Sequence, residues 1–231
     1  VNQLQFSNVL TQHIMGKIRR LAGETALYGL GSILPRVINF LLIKPHTKVF
    51  IPDEYSAITE LYAYATFINV IFVFGMETTY FRFATRPGAD ENRIFNVAQT
   101  TVITISVALS AIFLLFHSYM APSLSLGDHP EFLIWFVLIM FIDALVAIPF
   151  ARLRYQKKAL QFDFGHVMTI ILLVVINVYF VYIVYDPAVG VPFGVGFVFL
   201  ANLIANVFYL VLFARTLLSW RPAYDPTISP Q

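Results

Sequence analysis

The sequence contains no cysteine. That removes disulfides, thiolate nucleophiles and cysteine-held metals at once. Charge is scarce as well. Only 12% of the 231 residues are Asp, Glu, Lys or Arg, about half the share in an ordinary soluble domain. A chain so apolar cannot be disordered, and it has too little polar surface to cover a soluble core. Signatures of enzyme chemistry are missing too. None of the five histidines has metal-ligand spacing to another, and neither HExxH nor GxSxG occurs. The residues give no ground for an enzyme.

What fills the chain is apolar: 58% hydrophobic, with mean hydropathy +0.74. It comes in six runs, each near the ~20 residues that a spanning helix requires. They are "ALYGLGSILPRVINFLLI" (26–43), "AITELYAYATFINVIFVFGM" (57–76), "VAQTTVITISVALSAIFLLF" (97–116), "FLIWFVLIMFIDALVAIPF" (132–150), "HVMTIILLVVINVYFVYIVY" (166–185) and "FGVGFVFLANLIANVFYLVLFA" (193–214). Turn formers separate them in "PHTKVFIPDE", "TRPGADENR", "APSLSLGDHPE" and "DPAVGVP". The runs are continuous, without the alternation of barrel strands. The expected architecture is an all-α integral membrane protein with six transmembrane helices. Residues 1–24 form a tail, 25–215 the six-helix lobe and 216–231 a trailing linker.

Basic residues orient the lobe. Lys17, Arg19 and Arg20 precede the first span. Arg82, Arg86 and Arg93 follow the second; Arg152, Arg154, Lys157 and Lys158 follow the fourth; Arg215 and Arg221 follow the sixth. Alternate segments thus hold twelve of the 15 basic residues, which predicts that both termini face the cytoplasm. The basic, aromatic run "ARLRYQKKALQF" (151–162) lies beside a membrane, so anionic headgroups explain it better than nucleic acid does.

The polar residues inside the runs are the candidate site. Thr25, Gly29, Ser32, Arg36 and Asn39 recur at spacings of four, three, four and three. As a helix they share one face, which must meet protein or water. An arginine at mid-bilayer costs at least ~2.5–3.5 kcal/mol, so Arg36 points to a function needing a fixed cation. Its guanidinium suits phosphate; the structural alternative is an ion pair with Glu60 or Asp143. Pro35, just before it, predicts a kink. Glu60 and Asp143 are candidates for ion coupling, with H+ or Na+ as the coupled ion. Asn69, Asn177, Asn202 and Asn206 are amides expected in the helix bundle; Asn202 and Asn206 share a face. Interhelical hydrogen bonding and cavity lining are both open to them. "GVG" (194–196) reads as a packing site rather than a nucleotide loop.

Several segments are familiar together: "LAGETALYGLGSILPRVINFLL", "PDEYSAITELYAYATFINVIFVFGMETTYFRFA" and "IPFARLRYQKKALQF". From about Met15 onward the chain resembles the polysaccharide-transport branch of the multidrug/oligosaccharidyl-lipid/polysaccharide exporter superfamily. "LPRVINF" is also similar to the first-span arginine segment of the lipid II flippases. The resemblance implies the N-terminal lobe of a flippase for undecaprenyl-pyrophosphate-linked saccharide in the bacterial inner membrane. It implies that Arg36 contacts the pyrophosphate, with Ser32, Asn39, Asn69, Asn202 and Asn206 as further substrate-binding positions. The implied partners are the lipid-linked saccharide, membrane lipids and a second six-helix lobe. No cofactor beyond a coupling ion is implied. Two departures stand out. The further cavity arginines of the flippases are not matched, since this chain has Leu42 and Glu60. The first-span acidic residue of some multidrug members is missing too. Alternatives are a cation-coupled drug or metabolite antiporter of the same fold, and a non-transporting scaffold for polysaccharide assembly.

Overall fold

A computed structural model describes residues 40–50, 52–120, 130–185, 196–225 and 227–228, with positions 15, 23, 29, 33, 37, 122 and 194. Ser32, Arg36 and Asn39 lie outside the described residues, as does nearly all of the tail 1–24. Every described element is a helix. They are α1 (40–49), α2 (Pro52–Val73), α3 (Met76–Ala84), α4 (Glu91–Leu115), α5 (His117–Met120), α6 (Glu131–Tyr155), α7 (Ala159–Tyr179), α8 (Gly196–Leu212) and α9 (Ala214–Ser219). Helices α4 and α6 are each long and apolar enough to cross a membrane, as is α7 with the π-helical turn Phe180–Val184 that extends it. Ile58–Val73 and Met76–Ala84 make a fourth candidate if taken as one span bent by 41°. Helix α8 is apolar but only 17 residues long.

The helices overrun the apolar blocks, and the reasons are local. Helix α1 continues through Pro45 to residue 49, so most of the first expected loop is helical. A bilayer-type helix tolerates proline where neighbours serve the freed backbone groups. The second run breaks at Phe74 (φ 50°) and Gly75 (φ 65°), both left-handed, and restarts as α3. The basic run 151–162 is helical except at 156–158. Helix α6 runs to Tyr155, α7 starts at Ala159, and the turn between them includes Lys157 at φ 56°. Arg152 and Arg154 thereby sit in the last turn of α6, where cations favour the helix dipole. Helix α4 starts sharply because Asp90 accepts from the backbone N–H groups of Asn92 and Arg93 at 3.1 and 3.2 Å.

Helix α6 is the centre of the bundle and packs against α2, α3, α4, α7 and α8. That explains why it is hydrophobic on all sides. Two polar residues of α4, seven apart, serve its neighbours. Gln99 Nε2 donates to the Leu145 carbonyl at 2.9 Å, and Ser106 Oγ donates to the Phe72 carbonyl at 3.3 Å.

The basic end is cross-linked. Arg154 pairs with Glu77, and Arg152 with Glu91 at 2.9 Å, joining α6 to α3 and α4. Tyr80 donates to Glu91 at 2.6 Å. Residues 220–225, inside the expected trailing linker, lie across α4. Trp220 Nε1 reaches the Asn96 carbonyl at 3.3 Å, Ala223 N–H reaches Thr100 Oγ1 at 3.0 Å, and Arg93 pairs with Asp225 at 2.8 Å.

Candidate functional site

Helix α2 carries Tyr55, Thr59, Tyr62, Thr66 and Asn69 at spacings of four, three, four and three. That is one helical face. It lines a cleft of about 610 Å³ with His46 from α1, Asp143 from α6, Asn177 from α7 and Asn202 from α8. Apolar residues such as Ile58, Met140 and Val198 complete the wall. The hydroxyls of Thr59 and Thr66 are satisfied on their own helix, by the carbonyls of Tyr55 and Tyr62 at 3.2 and 3.4 Å.

The polar residues reach across helices. Helix α8 presents Asn202, Asn206 and Tyr209 on one face, and each touches a different neighbour. Asn202 Nδ2 donates to the Tyr62 hydroxyl on α2 at 2.6 Å. Asn206 Nδ2 donates to Asp143 Oδ1 on α6 at 3.0 Å. The Tyr209 hydroxyl lies 3.3 Å from His166 Nδ1 on α7. At the far end of the cleft His46 Nε2 donates to Asn177 Oδ1 at 2.7 Å, tying α1 to α7, and both residues are buried.

A second, smaller cavity of about 290 Å³ lies toward the basic end. Asn69 and Asp143 line both spaces. The smaller one adds Glu77, Arg154, His166 and Tyr209. His166 is caged by rings there: it stacks on Phe150 with centroids 4.3 Å apart and meets Phe162 edge-on at 4.6 Å.

Of the residues expected from sequence, Asn69, Asn202 and Asp143 come together in the cleft. Asn206 stands behind them, buried, holding Asp143. Asn177 is also in the cleft. Glu60 is not: it faces a separate groove with Thr47, Ser56 and Ala63, and accepts from Tyr64 at 3.3 Å. Tyr62, outside the site residues expected from sequence, is a cleft residue too. The even spacing along α2 signals it. Tyr209 and His166 carry no such signal, since their meeting depends on how α7 packs on α8. Gly194 fits the packing expected of it, since an added Cβ would come within 3.1 Å of the Tyr185 ring.

No family model, curated protein or solved structure matches this chain.

Proposed function

We propose that the chain is the N-terminal lobe of an exporter that moves an undecaprenyl-pyrophosphate-linked oligosaccharide across the bacterial inner membrane by alternating access. Six spans with both ends of the lobe on the cytoplasmic side belong to this reading. The observation that carries it is the cleft itself. Neutral amides, hydroxyls and tyrosines line a space walled by membrane-type helices. Such a lining pairs with the hydroxyls of a sugar and packs against its apolar faces. Its volume lies within the ~300–1,000 Å³ usual for small-molecule sites. Arg36, with Ser32 and Asn39, is assigned to the pyrophosphate, since a guanidinium holds phosphate by two parallel hydrogen bonds and keeps its charge. A second lobe closes the cleft, and lipid surrounds both.

Asp143 adds a carboxylate to this otherwise neutral wall, which supports coupling to H+ or Na+. The same residue favours the second reading, a cation-coupled antiporter of drugs or metabolites. A scaffold would have no use for a lined cleft.

The test is surface-saccharide export in cells that depend on the intact protein. Arg36→Ala and Asn202→Leu are expected to abolish export and leave lipid-linked precursor on the cytoplasmic leaflet. Arg36→Lys keeps charge but loses the fork, so it separates electrostatics from geometry. Full export by Arg36→Ala overturns the proposal. Resistance to organic cations with unchanged saccharide export favours the antiporter.

A further inference from the structure

Asn69 and Asp143 line both cavities, so Asp143 sits where the cleft and the smaller cavity meet. From there, groups able to carry a proton continue toward the basic end. The smaller cavity brings Asp143, Tyr209 and His166 into one space, and the Tyr209 hydroxyl already touches His166 Nδ1. From these juxtapositions we infer that this helical unit contains its own proton route, running from the cleft through Asp143, Tyr209 and His166 to the basic face. The inference deepens the assignment of Asp143 as the coupling residue: it names the ion, the path and the exit group.

The space is polar and large enough for water. About 290 Å³ exceeds the ~30 Å³ that one water occupies in the liquid, and several polar partners surround it. The proton count closes. The Asp143 carboxylate takes one proton from water in the cleft and yields it to water in the smaller cavity. That water passes a proton to the Tyr209 oxygen as the phenol gives its own to His166 Nδ1. The imidazolium then releases its Nε2 proton to water at the basic face, and a return to the starting tautomer resets it. Every group ends as it began, with one proton moved.

The charged and titratable groups facing this path are His46 from α1, Tyr55 and Tyr62 from α2, Glu77 from α3, Arg154 from α6, His166 from α7 and Tyr209 from α8. Glu77 and Arg154 pair with each other, so neither charge dominates the exit. The geometry also favours a proton over sodium. Asn206 presents an N–H to Asp143, which is a donor and not an oxygen ligand. It leaves the second carboxylate oxygen to take the proton.

The test places the 231-residue chain in vesicles of phosphatidylethanolamine and phosphatidylglycerol that contain a pH-sensitive dye, with a potassium diffusion potential as the drive. Protein-dependent proton uptake is expected. It falls about a hundredfold in Asp143→Asn and about tenfold in Tyr209→Phe and His166→Ala. His117→Phe, on α5 and away from both cavities, leaves it unchanged. Added imidazole restores uptake in His166→Ala, which a purely structural role for the histidine does not predict. Wild-type vesicles without proton uptake overturn the route, and so does wild-type uptake in Asp143→Asn or in unrescued His166→Ala. Uptake of radioactive sodium in place of protons also overturns it. Saccharide flipping is read separately. Proton uptake by the chain together with full saccharide export by Arg36→Ala in the intact protein upholds the route and removes the flippase reading; lost export in Arg36→Ala without proton uptake by the chain does the reverse.

Discussion

Gln99 supplies the hydrogen bond that Pro149 takes away. In α6 the Leu145 carbonyl would accept from the backbone of residue 149, but proline has no N–H. Gln99 Nε2 reaches across from α4 and donates to that carbonyl at 2.9 Å. Gln99→Leu is therefore expected to destabilise the unit by about 1–2 kcal/mol, the cost of orphaning a buried acceptor. In a Pro149→Ala background the helix regains its own donor and the same change should cost less. Denaturation of the four proteins in detergent measures the coupling. Simple additivity would mean that the two residues act independently.

The break between α2 and α3 tests backbone strain cleanly. At Gly75 no atom lies within 4 Å of an added Cβ, so only its φ of 65° opposes a side chain. Gly75→Ala is expected to cost about 1–2 kcal/mol. Gly75→Asn should cost less, because asparagine tolerates the left-handed region. Equal losses for the two would point to another cause.

Gly165 marks the tightest approach of α7 to its neighbours among the described glycines. An added Cβ would meet Leu212 Cδ2 at 2.8 Å and the Phe150 ring at 3.1 Å. Gly165→Ala is expected to destabilise by about 1–3 kcal/mol through overpacking. Leu212→Ala in the same chain should recover part of that loss by clearing the nearer atom. Thermal unfolding of the two variants decides it.

The segment that crosses α4 should respond to acid. Hydrogen bonds from the Thr227 hydroxyl and backbone N–H hold the Asp225 carboxyl below its usual range, with Arg93 assisting. A group with a lowered pKa in the docked state stabilises docking above its undocked pKa. That contribution fades as pH falls through the docked value. Trp220, hydrogen-bonded to Asn96 and Thr100, reports the release in its fluorescence. Thr227→Val should move the acid release to higher pH. An unchanged midpoint would remove Thr227 from the latch.

The sequence makes the helices legible and hides their ends. Apolar content and run length foretell the α class, because a helix satisfies its own backbone in lipid. The ends depend on features weak in a one-dimensional reading. Pro45 stays inside a helix, and Arg152 and Arg154 extend α6 past its apolar stretch, their ion pairs lying on other helices. For the site, spacing finds what lies on one helix. The Asn202 and Asn206 face is visible in sequence, and so is the even series from Tyr55 to Asn69. What spacing cannot show is which helix each face meets. Asn206 with Asp143 and Tyr209 with His166 are products of packing between segments 63 and 43 residues apart.

The face of α8 that holds Asn202, Asn206 and Tyr209 has a mechanical meaning. Its three links, to α2, α6 and α7, lie at 2.6, 3.0 and 3.3 Å. A slip of α8 by one turn shifts all three donors by ~5.4 Å together, which takes them beyond hydrogen-bonding distance. No neighbour can slide a full turn along α8 while its link survives. Helices α2, α6, α7 and α8 therefore tilt as one lever, and any opening of the cleft falls to elements outside that set.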